Sequence, residues 1–268
     1  MPDVWATFTE LDEEVQERLA GVLETRGSDP QQQELRRAFL AAVPFPADAR
    51  VLEVGCGTGV LTRVLARVPE VDSVVGTDVA PALLSRAREL ASGTAGVTFE
   101  EADAGELPFE DASFDVAVFD SVLSHLPDPA TALAEALRVL RPGARMAVFD
   151  GDYSTTTVAL GEHDPLQECA AAMMAASVTD RWVMRRLPAM ARAAGFEVED
   201  FRSHGFIAPR QGGYMLTVVD RGADILAGSG TIGSDAAEAL KAEARRRVAG
   251  GAFFGHIAYA ALVARKAG

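Results

Sequence analysis

Residues Val51–Gly59 read VLEVGCGTG: an apolar run with one acid set in it, then glycine at every second position. A short run that is apolar without alternation predicts a strand covered on both faces. Glycines directly after it let the backbone turn tightly and approach a ligand with no Cβ in the way. Leu61–Val68, which follows, has helical spacing. In an open α/β sheet, ligands sit beyond the carboxyl ends of the strands, which makes this loop a candidate site. The dinucleotide pattern G-x-G-x-x-G is not met. Counted from Gly55 its last position is Val60, and counted from Gly57 it is Thr62.

Outward from this loop, strands and helices alternate. Val74–Thr77, Val97–Glu101, Phe114–Phe119 and Arg145–Phe149 read as further strands, with helices at Pro81–Leu90 and Pro129–Leu140 and a turn at Arg141–Gly143. Such alternation means βαβ units and a parallel sheet. Before the loop, Phe8–Thr25 has helical spacing, with Thr9 as the expected N-cap, and a second helix opens at Asp29-Pro30. After Asp150 the alternation breaks into a polar, Thr-rich stretch at Gly151–Thr157. Helices are expected at Pro165–Ser177, at Asp180–Ala194 with an interruption at Pro188, at Tyr214–Ala227 and at Asp235–Val248. Gly195–Ile207 and Phe253–Arg265 read as the last two strands.

Composition narrows the function. Of 268 residues, 49% are apolar and 24% charged, a globular balance. The net charge of −14 opposes binding to nucleic acid or anionic lipid, which both draw affinity from Lys and Arg. The two cysteines, Cys56 and Cys169, are too few for a disulfide scaffold and fit a reduced compartment. The first residues, MPDVWATFTELDEE, lack a basic region followed by an apolar run, and no apolar stretch reaches bilayer length. A cytoplasmic protein is expected, with no nucleic acid, no membrane span and no metal, acting on a small molecule, as a monomer or a homodimer.

The G-x-G-x-G spacing with Glu53 two residues ahead resembles the first motif of the class I S-adenosylmethionine-dependent methyltransferases. Four more elements follow in the family's order: Asp78 closing the second strand, Ala102-Asp103-Ala104 after the third, FDVAVFDSVLSH at 114–125, and RVLRPGARMAVF at 138–149. The resemblance covers about residues 46–150 and is closest to the small-molecule group that includes quinone-biosynthesis and natural-product enzymes. It implies a doubly wound, mostly parallel seven-stranded Rossmann-like sheet with N-terminal helices and helical lid insertions. The implied organisation is an N-terminal helical cap (1–45), a cofactor-binding core (46–150), a helical insertion with its linking helix (151–194), and the last two strands carrying a lid insertion at 208–250 (195–268).

The resemblance also implies S-adenosyl-L-methionine as cofactor and S-adenosyl-L-homocysteine as product. In the family the acid at Asp78 accepts both ribose hydroxyls and the acid at Asp103 faces the adenine amino group. Glu53 organises the glycine loop or meets the methionine ammonium. Gly55, Cys56, Gly57 and Gly59, with Val79, Ala104, Asp120 and Ser121, complete the expected cofactor contacts. Carboxylates suit this task because charge-assisted hydrogen bonds are the stronger ones.

The catalytic candidates are less sharply drawn. His125 follows the fourth strand and is either a general base or a cap on the Pro127-Asp128-Pro129 turn. Asp152 and Tyr153 follow the fifth strand, as acceptor contacts or as a turn acid and a packed ring. Phe8, with Trp5, either closes over the site or staples a helix. Tyr214 and Arg221 share a helix face and are candidates for the acceptor cavity. Arg36 is either a partner for the cofactor carboxylate or part of a solvated face, and Met173-Met174 reads as core. Two rival readings of the whole chain are an enzyme of this fold doing other chemistry, such as cyclisation, and a nicotinamide oxidoreductase.

Overall fold

The computed structural model describes residues 3–208 and 211–268. Seven strands form one sheet: β1 (Ala49–Val54), β2 (Val71–Asp78), β3 (Val97–Glu101), β4 (Phe114–Asp120), β5 (Leu140–Thr157), β6 (Phe196–Ile207) and β7 (His256–Lys266). Their order is β3-β2-β1-β4-β5-β7-β6. The first five run parallel, and β7 lies antiparallel between β5 and β6. Successive residues sort to opposite faces, as a pleated strand requires. Val51, Val116 and Phe149 pack on one side, while Leu52, Ala117 and Val148 pack on the other. Both faces are apolar because helices cover both, which removes any polar alternation from the sequence.

Nine helices surround the sheet among the described residues: α1 (Glu13–Ser28), α2 (Pro30–Leu40), α3 (Val60–Leu65), α4 (Pro81–Leu90), α5 (Pro129–Val139), α6 (Leu166–Ser177), α7 (Val183–Ala194), α8 (Gly213–Gly228) and α9 (Ser234–Ala249). The caps of α2 and α5 follow from sequence. Asp29 accepts from the Gln31 and Gln32 amides, Asp128 accepts from that of Ala130, and each is followed by proline at the first helical position. None of these helices is long and apolar enough to cross a membrane.

Four expectations are corrected. The first long helix starts at Glu13, and Phe8–Glu10 is a separate 3-10 turn, so Thr9 caps nothing. Phe8 is buried there beneath Leu19, Ala80 and Leu83, which pins the turn apart from α1. The Thr-rich stretch 151–157 is strand rather than a break. It continues β5, pairing Asp152 with Ala258 and Thr157 with His256 across a bulge, and Thr155 Oγ1 accepts from the Ala258 amide at 2.8 Å. The interruption at Pro188 does not occur. α7 runs through it, forfeiting only the bond to the Met184 carbonyl while Val183, Met184, Leu187 and Ala191 stay buried. The last strand begins at His256, not Phe253.

α6 and α8 cross at close range over the end of the sheet. A Cβ on Gly222 would stand 1.9 Å from the Cys169 carbonyl oxygen, so only glycine permits this approach. That crossing brings α6 and α8 together with α1 and the first residues of the chain as a cover over the carboxyl ends of the strands.

Candidate active site

Beneath this cover lies a cavity of about 410 Å³ at the carboxyl ends of β1, β2 and β4. Its floor is the glycine loop. Gly55, Gly57 and Gly59 all have positive φ (72°, 53° and 74°). A Cβ on Gly55 would meet Val122 at 2.5 Å, so glycine there lets the β1 and β4 ends touch. Asp78 fastens the loop: one oxygen accepts the Gly57 amide at 2.8 Å and the other the Ala80 amide at 3.0 Å. Burial pushes the Asp78 carboxyl up, and these amide bonds oppose it. Both oxygens keep acceptor capacity toward the cavity, because a carboxylate offers about four lone-pair sites. At the cavity rim, Asp103 Oδ1 accepts the Gly105 amide at 2.7 Å, and Oδ2 accepts nothing among the described residues.

The deep end is charged. Glu53 is fully enclosed, takes a hydrogen bond from the Thr62 hydroxyl, and is pushed up to about 8 by burial. Arg36 of α2 pairs with Asp120 at the end of β4, Nε to Oδ2 at 2.5 Å, with both side chains buried. Arg26 of α1 reaches the Ser121 hydroxyl and lies 5.4 Å from the centre of the Tyr259 ring. Burial alone raises the Asp120 carboxyl, but Arg36 and Arg26 outweigh it and hold Asp120 below the usual range. Two guanidinium nitrogens here, Arg26 Nε and Arg36 Nη1, are buried without a hydrogen-bond partner among the described residues. Buried donors of this kind carry a free-energy cost until an acceptor meets them.

The opposite wall carries a dyad. His125 Nδ1 lies 2.8 Å from Asp3 Oδ2, and the same oxygen accepts the Thr179 amide at 2.9 Å and hydroxyl at 3.0 Å. Asp3 is buried, and its other oxygen accepts the Trp5 amide. Since a carboxylate only accepts, this contact assigns the Nδ1 proton to His125 and leaves Nε2 as the basic nitrogen. Trp5 and Tyr153 flank the imidazole, each with its ring centre 6.2 Å away. Burial pushes the Tyr153 hydroxyl and the Cys56 thiol well up, so neither ionises near neutrality.

A family profile described as "methyltransferase domain" matches residues 52–148. The 2-phytyl-1,4-naphtoquinone methyltransferase of Synechococcus elongatus is 36% identical over 176 residues, covering 64% of this chain and 70% of that protein. The chain belongs to the S-adenosylmethionine-dependent methyltransferases. The 27-O-demethylrifamycin SV methyltransferase of Amycolatopsis mediterranei is 35% identical over 55% of this chain. This methyltransferase spans about half the length of that relative and of several others it matches. Among solved structures, the cyclase SpnF superposes over 100% of this chain and 97% of its own, with a TM-score of 0.61 at 23% identity. A phosphoethanolamine N-methyltransferase of Haemonchus contortus, solved with S-adenosyl-L-methionine, covers 88% of this chain and 53% of its own, with a TM-score of 0.55 at 20% identity. At these identities the structural likeness is one of fold.

Most residues singled out from sequence meet in the one cavity: Glu53, Gly55, Cys56, Gly57, Asp78, Val79, Asp103, Ala104, Asp120 and Ser121 on the floor and deep end, and Phe8, His125, Tyr153 and Tyr214 on the cover side. Two do not line it. Gly59 caps α3 and packs against Phe99 and Ala87, shaping the loop from behind. Asp152 faces α7, where Arg185 binds it at 2.7 Å, because strand alternation turns only its neighbour Tyr153 inward. The acid that matters at this level is Asp150, fully buried, which accepts the Ser124 amide and hydroxyl and so props the turn carrying His125. Arg36 is buried rather than solvated, and Met173 and Met174 are both core and cavity wall. Asp3, Arg26 and Thr179 were missed. Their partners lie 95 or more residues away, and no local pattern marks them.

Proposed function

We propose that this protein transfers a methyl group from S-adenosyl-L-methionine to a protic small-molecule acceptor, of the quinone-like or secondary-metabolite type for which its relatives are named. The observation that carries this reading is one cavity holding the glycine-loop carboxylates at one end and a His125–Asp3 dyad at the other. The residues present fit the cofactor. The orphaned Arg36 Nη1 and Arg26 Nε would take its carboxylate, Glu53 its ammonium, Asp78 the ribose diol, and Asp103 with Val79 the adenine. When bound, the cofactor supplies an electrophilic methyl on a sulfonium.

The chain's own residues do the rest. His125 Nε2 accepts the acceptor's proton as the nucleophile forms, and Asp3 stabilises the resulting imidazolium through Nδ1. Trp5, Phe8 and the α6–α8 crossing exclude water and hold the reactants at near-attack distance. In this reading residues 1–45 and 208–250 serve as cap and lid, and 46–150 as the cofactor core. The net charge of −14 suits a free small molecule in the cytoplasm rather than a nucleic acid.

Calorimetry tests the reading. S-adenosyl-L-homocysteine should bind the full chain, and Asp78→Ala should weaken it by about tenfold or more, the scale of one charge-assisted hydrogen bond. Absence of binding by the native protein would overturn it.

A further inference from the structure

Among the described residues, one cation that lines the cavity has no charged partner. Tyr214 and Arg221 lie two turns apart on α8 and face the cavity beside Met173, Met174 and Ser177 of α6. The Arg221 guanidinium is partly buried, and its one hydrogen-bond acceptor among the described residues is the Ser177 hydroxyl, at a long 3.5 Å. Neither acid nearest it in sequence bonds to it: Asp220 pairs through Oδ2 with Arg245 at 3.0 Å, its Oδ1 being buried with no partner among the described residues, and Asp224 pairs with Lys241. Arg18 of α1 adds a like charge to its surroundings, and burial pushes its pKa down.

The cations of this cavity can be matched one by one. Arg36 and Arg26 share Asp120, and the cofactor's own carboxylate supplies a second anion for their unpartnered nitrogens. Arg221 then remains, on the wall formed by α6 and α8. A partly buried charge without a partner is costly, and a planar guanidinium fork fits a two-oxygen anion best. The wall around it is otherwise apolar, with Met173, Met174 and Val178, which suits a flat or hydrocarbon body. Resting on the methyltransferase reading above, we propose that the acceptor bears a carboxylate, which Arg221 binds with the Ser177 hydroxyl alongside. Arg221 therefore selects acidic acceptors over their neutral counterparts.

The test uses the full chain saturated with S-adenosyl-L-homocysteine. Matched pairs of acid and primary amide, built on benzene, naphthalene, biphenyl and decanoyl bodies, are ranked by thermal shift and the best pair measured by calorimetry. The best acid should bind about tenfold or more tighter than its amide. Arg221→Gln should erase that preference and Arg221→Lys should keep part of it, while both variants retain the native affinity for S-adenosyl-L-homocysteine. Amides that bind as well as acids, a panel in which no acid binds, or an acid preference that survives Arg221→Gln would overturn the proposal. Failure of S-adenosyl-L-homocysteine to bind the native chain would instead strike the methyltransferase reading.

Discussion

Cofactor binding should expel a proton from Glu53. Burial holds this carboxyl at about 8 in the free protein, against an ordinary 4.5. At pH 7 it is therefore about 0.9 protonated. An ammonium placed beside it favours the carboxylate and draws the pKa back down, so binding releases about 0.9 proton. Titrating S-adenosyl-L-homocysteine in phosphate and in Tris at pH 7 measures this, because released protons are taken up with each buffer's own ionisation enthalpy. The native protein should give a slope near 0.9 and Glu53→Gln a slope near zero. A native slope near zero, or one that persists in the glutamine variant, would refute the reasoning. The same shift has a stability consequence. The folded form keeps a proton that the unfolded chain has already lost, so the stabilisation is full below pH 4.5 and lost as pH climbs toward 8. The difference relative to Glu53→Gln reaches about 5 kcal/mol.

Three further outcomes follow from the geometry. Gly222→Ala would gain about 1 kcal/mol of helix propensity, but its Cβ must retreat from 1.9 Å to an ordinary 3.4 Å from the Cys169 carbonyl. Forcing the helices apart costs about 1–3 kcal/mol or more, so the thermal midpoint should fall, by several degrees at about 2–4 °C per kcal/mol. Asp152→Asn removes a pair with a half-exposed arginine, worth about 1 kcal/mol at most, and should leave cofactor affinity within about twofold; a larger loss would return Asp152 to the active site. Cys56 is buried with its thiol pushed up, so iodoacetamide should leave it unmodified in the folded protein and label it once denaturant is added, read by mass spectrometry.

The floor of the candidate site was legible in the sequence because its signals are local. The buried strand, Glu53 and the three glycines stand together within Val51–Gly59, and Asp78 and Asp103 each stand at or just past the end of an apolar strand of their own. β1 to β4 carry apolar runs with glycine or acidic punctuation, and the structure places all four where those runs stand. The acceptor half was legible only in part. Thr155 and Thr156 read as loop because the partners that make their segment a strand lie about a hundred residues later, in β7. Asp3 looks like any surface acid until the fold brings it against His125 and Thr179. Asp150 and Asp152 share one face of β5, but Asp150 reaches the turn that carries His125 while Asp152, one step further along, meets Arg185 of α7, a difference no local pattern marks.

Tyr259 ties the last strand of the sheet to the first two helices of the chain. It stands on β7 and, fully buried, its hydroxyl accepts from the Gln32 side-chain Nε2 at 3.0 Å while its ring lies beside Arg26. Arg26 is thus braced by a strand that lies more than 200 residues later in the sequence. The Arg26 side of the cavity is therefore complete only when β7 is paired between β5 and β6, so a substitution at Tyr259 reaches the cavity from the far side of the sheet's sequence.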